Sequence, residues 1–205
     1  MAETLAESVV ALDHKNASYF KSQLGAKEAW RAWPEFQSDC CYLDIETDGG
    51  MSGSSVTTIG LYDGNRFTCL VRGQDLEIFP DYISRFKYLV TFYGTGFDLP
   101  MLQKAFPGLR FPQIHLDLCF ALKRLGYRGG LKRIEKQLGI SRGDETDGLS
   151  GLDAIRLWRE YQLGREESLR TLIEYNQEDV VNLEILAQLA FDQLKEATLS
   201  GSKLR

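Results

Sequence analysis

The chain of 205 residues is 43% hydrophobic and 26% charged, so a single globular domain with trimmings around one substantial core is expected. Its formal charge of −5 argues against a surface that coats polyanions. No apolar run nears the ~20 residues that span a bilayer, which excludes a helical membrane anchor in the sequence given. The start MAETLAES carries acids and lacks the basic-then-apolar pattern of a signal peptide. The cysteines (Cys40, Cys41, Cys69 and Cys119) have no CxxC spacing and read as reduced thiols of a reducing, cytoplasmic compartment, not as a zinc site.

Residues 1–36 carry a loosely helical pattern rich in aromatics (Tyr19, Phe20, Trp30, Trp33), which Pro34 is expected to stop; they read as an N-terminal extension. A short apolar, β-like run covers 40–45. VTTIGLY (56–62) and RFTCLV (66–71) alternate on either side of Asp63-Gly64-Asn65, the signature of a hairpin. A helix is expected near 76–86, a strand over 88–93, a sharp turn at Gly94-Thr95-Gly96 and a helix over 97–106 with Pro100 in its first turn. A short strand at 113–116 leads to Asp117, placed to cap the helix LCFALKRLG. Gly129-Gly130 breaks the chain before LKRIEKQLGI, and SRGDETDGLS (141–150) reads as a mobile polar loop. Helices are expected over 152–163 and 166–194, the second long and strongly periodic. The domain expected is α/β with a mixed sheet over 37–195, followed by a flexible tail over 196–205.

The acids in CYLDIETDGG admit three chemistries. An EF-hand loop starting at Asp44 is satisfied by Glu46, Asp48 and Gly49, but its twelfth position is Ser55 and its flanks are not helical. An aspartyl phosphatase wants a second Asp where Glu46 stands. A divalent-metal site needs partners for Asp44 and Glu46, which lie two apart on a strand and so share a face, where they repel unless a cation intervenes. Candidate partners exist. Asp98 in YGTGFDLPML follows a strand end, and Tyr175 and Asp179 in EYNQEDVVNLEIL are one turn apart on a helix. Each alone has an ordinary alternative as a cap, a first-turn acid or a polar helix face. Together they offer four carboxylates from three segments, the hard oxygen donors that paired Mg²⁺ or Mn²⁺ ions need. Two such ions would bring the formal charge of −5 to about −1, so a phosphodiester need not meet a basic surface. Gly94-x-Gly96 is not a dinucleotide fingerprint, because Leu99 stands at the third glycine.

In order and spacing, Asp44-Ile45-Glu46, Asp98 and Tyr175-x-x-x-Asp179 resemble the DEDD family of 3′–5′ exonucleases in its tyrosine (DEDDy) version, over about residues 25–192. The resemblance looks closest to a bacterial and archaeal branch of ribonuclease H-like exonucleases. It implies a ribonuclease H-like α/β fold, a five-stranded mixed sheet flanked by helices. It also implies two divalent ions, Mg²⁺ or Mn²⁺, and the 3′ end of single-stranded DNA or RNA as substrate. Asp44 would bridge both ions, Glu46 and Asp179 would ligate the nucleophile-side ion, Asp98 would help hold the second, and Tyr175 would orient the attacking water. The run Asp48–Ser55 departs from the family's usual Thr-Gly, leaving Asp48 either a competing ligand or a solvated acid.

Thr47, Tyr93 and Phe97 are candidate contacts to the terminal nucleotides, with core packing as the alternative for the two rings. Lys123, Arg124, Arg128, Lys132, Arg133, Lys136 and Arg142 form the most basic segment, either a phosphate track (Arg128 and Lys132 foremost) or a solvated helix face. His14 and His115 have no partners in a metal or triad pattern. The rival to an enzyme is a catalytically idle nucleic-acid-binding or partner-docking domain of the same fold. The intact acids and tyrosine favour the enzyme.

Overall fold

In the computed structural model, which describes residues 2–201, the apolar run becomes strand β1 (Cys40–Thr47), extending two residues past the expected end. The hairpin forms as β2 (Val56–Tyr62) and β3 (Phe67–Val71), its turn closed by Asp63 Oδ1, which accepts from Asn65 N at 2.9 Å and Arg66 N at 2.7 Å. β4 (Tyr88–Thr91) and β5 (Ile114–Asp117) complete a sheet of order β3-β2-β1-β4-β5. β1–β2 and β2–β3 pair antiparallel, whereas β1–β4 and β4–β5 pair parallel. The sheet is thus five-stranded and mixed, as expected.

Alternation on β1 sorts the core. Cys40 and Tyr42 join one apolar cluster with Trp30, Trp33, Phe36 and Leu186, while Cys41, Leu43 and Ile45 join the opposite one with Phe79, Met101 and Leu102. A central strand covered on both faces reads as a continuous apolar run. Asp44 and Glu46 have the parity of Tyr42, so they extend the first face.

Helices α1 (Ala2–Asp13) and α2 (Ala17–Gln23) precede a 3-10 turn (Ala26–Ala32) and a short α3 (Trp33–Phe36). Pro34 does not stop the helical segment; it stands in the first turn of α3, where a missing N–H costs nothing. From Ala29 onward this segment is core, not an appendage: Trp30, Trp33 and Phe36 are buried, and Tyr88 donates its hydroxyl to Ala29 O at 2.9 Å. The helix expected over 76–86 shortens to a 3-10 turn (Leu76–Ile78) and α4 (Phe79–Ile83), because Pro80 restarts the chain as a first-turn residue. α5 (Asp98–Ala105), α6 (Leu118–Arg124), α7 (Leu131–Gln137) and α8 (Gly151–Gln162) follow. The last helix, α9 (Glu166–Leu199), is 34 residues long and runs past the boundary expected at 195. Residues 202–205 of the expected tail lie outside the described residues, as does Met1. The cysteines are free thiols, and no described helix is long and apolar enough to cross a membrane.

Candidate metal centre

β1 delivers Asp44 and Glu46 to the face that α9 crosses, and one turn of α9 supplies Tyr175, Asn176 and Asp179. One carboxylate oxygen from each of Asp44, Glu46 and Asp179 lies within 4.8 Å of the others. Asp98, at the start of α5, lines the same cleft but stands outside that triad, and its Oδ1 accepts the Ile45 N–H at 3.1 Å. The cleft has a volume of about 500 Å³ and is also lined by Tyr93, Phe97, Lys132 and Tyr175.

Burial is the main cause of the electrostatics. It raises the Asp44 carboxyl well above its usual range, with Asp179, Asp98 and Glu46 adding repulsion. Burial, then Asp179, does the same to Glu46. Burial pushes Asp98 up to about 7 and Asp179 up to about 6, the latter against the opposing pull of Arg142. Crowded carboxylates held in low dielectric either stay protonated or take up a cation, and all-oxygen donors suit a hard divalent one. Asp44, Glu46 and Asp179 fit such an ion by donor type, number and proximity.

Two fixing devices escaped the sequence reading. Asn176, fully buried, donates Nδ2–H to Asp44 Oδ2 at 3.0 Å. Its carboxamide fits because Gly60 stands opposite Asp44 on β2; a Cβ there would overlap Asn176. The signal was a glycine inside the strand VTTIGLY. Gly60→Ala is expected to cost about 1–3 kcal/mol in urea unfolding and to weaken divalent-ion binding in calorimetry. An unaltered metal affinity would show that Asn176 does not orient Asp44.

The second device is Arg142. Its side chain is only 4% exposed, inserted from the loop expected to be mobile, and it binds Glu135 through Nε and Nη2, both at 2.7 Å. Nη2 also reaches Asp179 Oδ1 at 2.5 Å, and Asn182 donates to Glu135 Oε1 at 3.0 Å. Arg142 is therefore neither a phosphate track nor a solvated face, because its charge is consumed by two buried carboxylates. The overlooked signal was Glu135 itself, which shares the apolar stripe of Leu131 and Ile134 on α7 and of Leu138 at its C-cap.

The other sequence candidates divide by position. Lys132 points inward, donating Nζ–H to the Tyr175 hydroxyl and to Leu149 O, with Nζ 3.8 Å from the Tyr175 ring centre. Lys123, Arg128, Arg133 and Lys136 are exposed; of these Arg133 alone lines the cleft, and Arg128 does not. Arg124 donates to Lys27 O and Glu28. Thr47 ends β1 at an irregularity in the ladder, and its hydroxyl accepts from Gly49 N at 3.4 Å, outside the cleft lining. Asp48 stands apart from the Asp44, Glu46 and Asp179 triad and, partly exposed, pairs with Arg72 at 3.0 Å. Asp117 does more than cap α6, because its carboxylate also accepts the N–H of Tyr93 and Thr95. His115 is partly buried and bonds the Thr91 hydroxyl at 2.9 Å, and desolvation lowers its pKa to about 4.

Residues 41–191 match a family model described as the RNase H superfamily. The chain belongs to the RNase H superfamily. No curated protein matches it. Among solved structures it is similar to the family B DNA polymerase from the hyperthermophilic archaeon Pyrobaculum calidifontis, at 18% identity and a TM-score of 0.55. The match covers 75% of this chain and 24% of the polymerase, so the chain spans about a quarter of that enzyme's length. Within the RNase H fold, the acids of β1 lie at the middle of the sheet, and the superfamily match takes in all of Asp44, Glu46, Asp98, Tyr175 and Asp179.

Proposed function

We propose that this RNase H superfamily protein is a metal-dependent 3′–5′ exonuclease of the tyrosine type, acting on the 3′ end of single-stranded DNA or RNA. The observation that carries the reading is the convergence of Asp44, Glu46 and Asp179 within 4.8 Å, beside Tyr175 in an open cleft. Asp44, Glu46 and Asp179, with Asp98 at the margin, are the residues that would hold two Mg²⁺ or Mn²⁺ ions. When bound, such ions lower the pKa of the attacking water and stabilise the leaving 3′ oxygen. The protein's own contribution is placement. Tyrosine, with an ordinary pKa near ~10, is a weak base at neutral pH. Lys132 already donates to the Tyr175 oxygen, which leaves the phenolic hydrogen to be donated into the cleft. Tyr175 thus fixes a water by hydrogen bonding and need not deprotonate it.

The test is a single strand labelled at its 5′ end, incubated with Mg²⁺ or Mn²⁺ and, separately, with chelator. Stepwise shortening with release of mononucleotides is expected only with metal, and a covalently blocked 3′ end should resist. Tyr175→Phe is expected to slow release on the order of 10²-fold. Strand binding without hydrolysis under any divalent ion would return the idle-domain reading, and cleavage of a circular strand would replace an exonuclease with an endonuclease.

A further inference from the structure

The exit from β4 contains strain that the proposed chemistry does not use. Tyr93 sits at φ +63°, a left-handed conformation that bulky residues adopt only under constraint. The constraint is Asp117, whose carboxylate accepts Tyr93 N at 2.8 Å and Thr95 N at 3.0 Å, while Tyr93 O accepts from Gly96 N at 3.0 Å. What this backbone delivers is a tyrosine 51% exposed to solvent. The ring lies over Gly96, where an added Cβ would sit 2.5 Å from Tyr93 Cζ. The same Asp117 carboxylate caps α6, which presents Phe120, 47% exposed, with its ring centre 6.3 Å from that of Tyr93. One buried acid therefore sets two aromatic rings that the core does not need.

Their surroundings point to an occupant. Tyr93 lines the acidic cleft, and Phe120 lines a second cavity of about 220 Å³, also lined by Lys27 and by Arg124, whose guanidinium pairs with Glu28 at 3.4 Å. Acids at one end and the exposed Lys27 ammonium at the other suit a strand whose reacting phosphate sits at the metal centre and whose upstream phosphate meets positive charge. We propose that Tyr93 and Phe120 form a stacking shelf for bases upstream of the scissile bond in a single-stranded nucleic acid, a subsite that rests on the exonuclease reading. Stacking on two rings is tolerant of sequence, so the shelf confers preference for length, not for a base.

The decisive variant is Phe120→Ala, compared on a strand of about ten nucleotides and on a dinucleotide. The kcat/KM advantage of the long strand is expected to fall about tenfold, through KM, and Phe120→Trp to restore it. An abasic site at the stacked position should penalise the native protein and not the variant. Quenching of a 2-aminopurine strand in chelator, strong with the native protein and lost in Phe120→Ala and Gly96→Ala, reads the shelf without turnover. Hydrolysis with an undiminished length advantage in Phe120→Ala overturns the shelf and leaves the exonuclease. Ring-dependent quenching by a protein that never hydrolyses supports the shelf and removes the exonuclease. Sedimentation showing a dimer of the native chain that Phe120→Ala converts to monomer overturns it as well.

Discussion

Asp44→Asn is expected to abolish metal-dependent hydrolysis, by about 10³-fold or more, and at the same time to stabilise the metal-free protein. The activity loss follows from removing an anionic oxygen from the three that converge within 4.8 Å. The stability gain follows from burial, which with three neighbouring acids holds the Asp44 carboxyl well above its usual range. A carboxyl whose folded pKa is raised favours folding while it stays protonated, and that advantage is lost as pH rises through the folded value. Asp98, at about 7, and Asp179, at about 6, place much of the loss between about pH 4 and pH 7. Asparagine has no charge to bury, so the variant should exceed the native protein by about 1–3 kcal/mol near neutrality and by less in acid. Added Mg²⁺ or Mn²⁺ should reverse the order, raising the Tm of the native protein and not that of Asp44→Asn. Thermal scans across pH with chelator or metal check both halves. A native Tm indifferent to divalent ions at neutral pH would remove the metal centre.

Arg142→Ala should have the largest effect on stability, about 3–5 kcal/mol, since it strands two buried carboxylates. Both Glu135 and Asp179 are less than 8% exposed at the side chain, at 2% and 7%, and each bonds the guanidinium. Arg142→Lys keeps the charge without the planar fork and should recover only part. The informative variant replaces both Glu135 and Arg142 with methionine, which relieves the unpaired charge on α7. Urea unfolding should then recover much of the lost stability, whereas hydrolysis should stay depressed because Asp179 has lost its anchor. Recovery of both together would reduce the network to packing.

How much of this is legible in the sequence depends on the range of the physics involved. The hairpin was visible because Asp63 and Gly64 act within their own turn. β4 ends at Thr91, two residues short of the expected strand, because the Tyr93 N–H is claimed by Asp117 at the end of the neighbouring β5. Pro34 and Pro80 were ambiguous because a proline ends one helix and begins another with equal ease, and only the packing of Trp33 and Phe79 decides between them.

The centre divides in the same way. Alternation along β1 put Asp44 and Glu46 on one face, and the helical repeat put Tyr175 one turn before Asp179, so these pairings were determined by stereochemistry local to each segment. The direction of each basic side chain was not local. Arg142 and Lys132 are chemically no different from the exposed Arg133 and Lys136, yet two turn inward to buried partners and two do not. That choice, the Gly60 space that admits Asn176 and the bond tying Asp98 to Ile45 rest on groups brought together from distant parts of the chain. The sequence alone therefore determined which acids share a face. Only the tertiary structure decided which cations and amides hold them there, because a buried charge is set by whatever the fold packs against it.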